Sequence, residues 1–150
     1  PGSLLFSFGF IIMLWLCKGP ITLSGVTFDI HTMLYSAMSM LLGFTIISFG
    51  LFAKVFTINN RLIPANDNIK SFYNVISLEL GVILGFIVFI VGIVGSIFSI
   101  LVWESKSFGS LTPQSMMRIV IPSATFMVLG MQTIFASFFL NILGLKMRNN

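Results

Sequence analysis

A chain of 150 residues with eight basic and four acidic side chains is 57% hydrophobic and 8% charged, with a formal net charge of +4 and a mean hydropathy of +1.06. A soluble globular domain carries about a quarter charged residues, so this chain lacks the polar surface for one, and a membrane protein is the class that remains. The positive charge is spread along the chain without a basic run, which argues against a nucleic-acid partner and fits lysine and arginine at a membrane interface; the single cysteine, Cys17, leaves no internal disulfide.

The chain opens on Pro1-Gly2 without an initiator methionine, which reads as a piece of a longer or processed protein. The first apolar run, residues 3–17, is closed by Lys18-Gly19-Pro20. No basic segment precedes it and no small-residue cleavage site follows it, so it is not a signal peptide. It is short for a span, which needs about 20 apolar residues to cross a hydrocarbon core of roughly 30 Å. Next comes "ITLSGVTF", which alternates apolar and polar residues on both sides of Ser24-Gly25 and predicts a small β-hairpin. Residues 32–55 form the second span, interrupted only by Lys54 near its end.

Between the second and third spans, "NDNIKSFYNVIS" places Ile69, Phe72, Tyr73 and Ile76 on one helical face. That pattern predicts an amphipathic helix over about 67–77, lying in the membrane interface. The third span, 80–103, carries no charge, and the fourth, 119–145, is bounded by Arg118 and Lys146. In "SLTPQS", Thr112 is placed to cap the fourth helix, with Pro113 at its first helical position. Pro122 lies inside it and can bend it. The apolar runs do not alternate as barrel strands do. The expected fold is therefore an all-α membrane protein with four transmembrane helices, an extracytoplasmic hairpin loop and a cytoplasmic interfacial helix. That orientation puts Lys54, Arg61, Lys70, Lys146 and Arg148 inside, against Lys18, Lys106 and Arg118 outside, which follows the positive-inside bias.

Small residues recur every seven positions. Gly2 and Gly9 begin the series, followed by Ser36, Gly43 and Gly50, by Gly85, Gly92 and Ser99 with Gly81 before them, and by Ser123, Gly130, Ser137 and Gly144. In lipid, where burial of apolar surface does not drive helices together, small residues let backbones approach and pack. A spacing of seven keeps them on one face of a left-handed pair.

The chemistry available is sparse. "GVTFDIHTMLYS" holds the only histidine, His31, two residues after Asp29. A metal site needs more ligands, and Asp67, Glu79 and Glu104 are not at ligand spacing with them. A Cys17–His31 nucleophile pair has no visible activation. The remaining reading is structural: Asp29 caps the second helix and His31 sits in its first turn at headgroup level. Gln132 and Asn141 are the two amides inside the fourth span, and no span has an ionisable residue in its interior, which argues against an ion-coupled transporter. No phosphate-cradling loop, D-x-D or H-E-x-x-H is present. The chain offers no catalytic residue, metal ligand set or cofactor site of its own.

The string "GVTFDIHTMLYSAMSMLLGFTIISFGLFAKVF", then "LIP", then "SLELGVILG" and "FASFFLNILGL", resembles the C-terminal membrane region of bacterial family 2 glycosyltransferases of the polyprenyl- or dolichyl-phosphate sugar synthase kind. The likeness rests most on Phe28-Asp29-x-His31-Thr32 and on 49–54; where such proteins often carry a glutamine, this chain has Phe44. The resemblance implies a Rossmann-like catalytic domain upstream of Pro1 that moves a hexose from a nucleotide sugar to a polyprenyl phosphate. It makes this chain the anchor in the bacterial inner membrane, with both termini cytoplasmic. The implied partners are membrane lipid, polyprenyl phosphate, the catalytic domain and further copies of the chain. Lys54, Arg61 and Lys70 are then the candidates to hold the lipid phosphate. The alternatives are a stand-alone GtrA-like protein that translocates a polyprenyl-linked sugar and a structural subunit of a membrane complex.

Overall fold

The computed structural model describes residues 1–23, 26–59, 78–104 and 113–148. The predicted interfacial helix, the Ser24-Gly25 turn, Arg61, Lys70 and Thr112 lie outside the described residues. The order of elements is α1 (Gly2–Cys17), β1 (Ile21–Leu23), β2 (Val26–Phe28), α2 (Ile30–Asn59), α3 (Leu78–Glu104) and α4 (Pro113–Arg148). The strands pair antiparallel, with Ile21 opposite Phe28 and Leu23 opposite Val26, so two residues link them. Gly19, at φ +153° just before β1, turns the chain where a residue with a Cβ would be strained.

Three of the helices are long and apolar enough to cross a membrane; the 16-residue α1 is shorter. The long helices extend past their apolar stretches at both ends, as helices do when polar flanks continue into the headgroup region. Their outer faces are apolar as well: Leu80, Ile83, Leu84 and Ile87 of α3 are all exposed. A helix apolar on every side is suited to lipid rather than water. Hydroxyls inside the spans are satisfied by their own helix: Ser123 donates to the Ile119 carbonyl at 2.7 Å and Ser137 to that of Thr133 at 2.8 Å.

The helices form two tight pairs, α1 with α2 and α3 with α4, and the pairs meet where α2 packs on α4. Glycine sets the closeness inside each pair. A Cβ on Gly43 would lie 2.7 Å from the Gly2 carbonyl oxygen and against the Phe6 backbone of α1; one on Gly9 would strike the backbone of Ser36 and Met40 in α2. Across the other pair, a Cβ on Gly85 would come within 2.9 Å of the Gly130 carbonyl oxygen, and one on Gly92 within 2.7 Å of that of Ser123. Gly130 faces the Phe89 backbone, and Ser137 sits directly against Gly81. Gly50 is different. A Cβ there would meet nothing within 4 Å. Because α1 and α2 run antiparallel with Gly2 against Gly43, a position two turns further along α2 lies past Gly2, the first residue of α1. Gly144 lies near the end of α4.

The buried core sits toward the hairpin end. Met13 and Leu16 of α1 join Met33, Ala37 and Met40 of α2 and Leu129 of α4. Methionine suits this junction, because its flexible thioether fills the irregular space where three helices of different tilt converge.

The glycine contacts make a direct prediction. Gly43→Ala is expected to lower thermal stability in detergent by about 1–3 kcal/mol, because the added methyl meets backbone that cannot give way. Gly50→Ala, facing open space, is expected to stay within about 0.5 kcal/mol of the parent. Equal effects of the two would contradict the packing.

Candidate functional site

Two features stand out on the seam between α2 and α4, one at each end. Both helices begin at the hairpin end and run the same way, so their contacts keep a nearly constant offset along the chain. Asp29 meets Arg118, Thr45 meets Gln132, and Phe52 meets Phe139.

At the hairpin end, Asp29 occupies the position before α2, where its backbone carbonyl accepts from the Met33 N–H at 3.1 Å. Its side chain reaches across to α4: Arg118 Nη2 donates to Asp29 Oδ1 at 2.8 Å. The two side chains are 28% and 21% exposed, so the pair is partly open to solvent. The Arg118 hydrogen bond holds the Asp29 carboxyl below the usual carboxylate range, helped by the Ile30 backbone N–H and opposed by partial burial. Arg118 is also the side chain nearest Gly19, at 3.9 Å from where a Cβ would stand. One guanidinium therefore ties α4 to the residue before α2 and lies beside the turn after α1. His31 is exposed in the first turn of α2, close enough for its charge to favour ionised Asp29. No three His, Cys, Asp or Glu side chains among the described residues gather as a metal site would need.

Toward the other end the seam opens. A cavity of about 660 Å³ lies between α2 and α4, lined by phenylalanine and aliphatic side chains from Phe44 to Phe52 and from Val128 to Ile142, with Thr45, Ser48 and Gln132 among them. Phe49, Phe52, Phe135 and Phe139 stand along the two faces, with the small side chains of Ser48 and Ala136 among them. Phe52 and Phe139 touch edge to face with ring centroids 4.7 Å apart. Gln132 Nε2 donates to Thr45 Oγ1 over a long 3.5 Å, and Thr45 Oγ1 in turn donates to the Leu41 carbonyl. Gln132 Oε1 is buried with no hydrogen-bond partner among the described residues, a costly arrangement in an apolar setting. Lys54 is exposed two residues beyond Phe52. Lys146 and Arg148 follow at the same end of α4.

Sequence reasoning named Gln132 but did not bring it against Thr45, and it missed the pairing of Asp29 with Arg118. The only signal for that pair was a lone acid and a lone cation at the starts of two spans.

Comparison with known proteins places this arrangement. A family model described as the glycosyltransferase family 2 C-terminal transmembrane region matches residues 51–144, which takes in the end of α2, all of α3 and most of α4. The chain is 30% identical over 151 aligned positions to the low-salt glycan biosynthesis hexosyltransferase Agl6 of Haloferax volcanii, an alignment covering 96% of this chain and 35% of that protein. The chain thus spans about a third of the length of that curated relative. Haloferax volcanii is archaeal, so the likeness is not confined to bacteria. No solved structure matches the chain.

The ion pair predicts an acid-dependent stability. The folded chain holds Asp29 ionised to lower pH than the unfolded chain does, so the native state binds fewer protons in that window. The stabilisation is full above the ordinary carboxylate pKa of 3.8 and is lost as pH falls through the lowered value. Arg118→Gln is expected to melt earlier than the parent at neutral pH, with the gap closing in acid. Melting curves that run parallel at every pH would contradict this.

Proposed function

This chain belongs to the glycosyltransferase family 2 C-terminal transmembrane regions, and from that membership we propose that it is the part of a hexosyltransferase that brings a polyprenyl phosphate acceptor to a nucleotide-sugar-using catalytic domain. That it is a membrane-anchoring region of a glycosyltransferase follows from the family itself. The acceptor and the donor belong to the proposal. The observation that carries it is the likeness to a hexosyltransferase across 96% of the chain.

In this reading the chain lies in the cytoplasmic membrane with both termini inside and the hairpin outside. The end of α2 that carries Lys54 then faces the cytoplasm, where nucleotide sugars are found. Lys54 ends the span with its stem in lipid and its ammonium at headgroup level. Arg61 offers a two-pronged fork suited to phosphate, and Lys70 adds a further cation. The role of these groups is to hold the lipid phosphate at the interface, neutralise part of its charge and so orient its oxygen toward the sugar donor.

Two experiments check this reading. Ser24→Cys is expected to react with a membrane-impermeant thiol reagent only from outside the cell, and Asn60→Cys only after the inner side is exposed, both in a Cys17→Ser background. The reverse pattern would overturn the orientation. In the full-length enzyme, Lys54→Ala and Arg61→Ala are expected to raise KM for the lipid phosphate about 3–10-fold, roughly the loss of one phosphate contact, with the nucleotide-sugar KM unchanged. Lys106→Ala, on the opposite side, serves as the control. If all three variants behave like the parent, the phosphate is held elsewhere.

A further inference from the structure

We draw no further inference here: the strongest candidate, the open apolar groove between α2 and α4, carries nothing, because nothing in the structure shows what covers it.

Discussion

Backbone contact at glycine is the constraint on which the rest of this structure depends. In lipid the outward and inward faces of a helix are equally apolar, so burying leucine gains little, and association must come from close packing. Gly2, Gly9 and Gly43 bring α1 onto α2, and Gly85, Gly92 and Gly130 bring α3 onto α4, to distances at which a single methyl would meet backbone atoms. Two stiff helix pairs result. The seam between the pairs has no such contacts, and its character follows from that lack. It is closed by methionine and one ion pair at the hairpin end and lined by phenylalanine toward the other.

The two ends of that seam differ. The Asp29–Arg118 pair fixes the entry of α2 to the entry of α4 and lies beside the turn that follows α1. Helices pinned at one end can differ in separation at the other with little change in their packed core. The open end lies toward the close of both helices, and on α2 the family match begins there, at residue 51.

How much of this could be read in the sequence depends on the range of the signal. The membrane class and the long spans were legible because they rest on composition and run length, which need no partner. The hairpin strands were legible from alternation around Ser24-Gly25. The seven-residue spacing of small residues was visible too, but not which helix each would face, and the spacing alone grouped Gly50 with Gly43, although α1 does not reach it. What the sequence did not disclose were relations between distant segments. Asp29 and Arg118 are 89 positions apart, and nothing local distinguishes a cap from a clamp. The cavity is lined by residues of two helices far apart in the chain, a relation that no periodicity within either span encodes.

The account stands on the parallel register of α2 and α4, because the clamp and the cavity are both consequences of it. Disulfide cross-linking in native membranes tests that register most directly, using a Cys17→Ser chain with cysteines introduced pairwise. Thr45→Cys with Gln132→Cys, and Phe52→Cys with Phe139→Cys, are expected to cross-link readily under mild oxidation, while Thr45→Cys with Phe139→Cys, about two turns out of register, stays reduced. Efficient cross-linking of the mismatched pair, with the two matched pairs silent, would contradict the account.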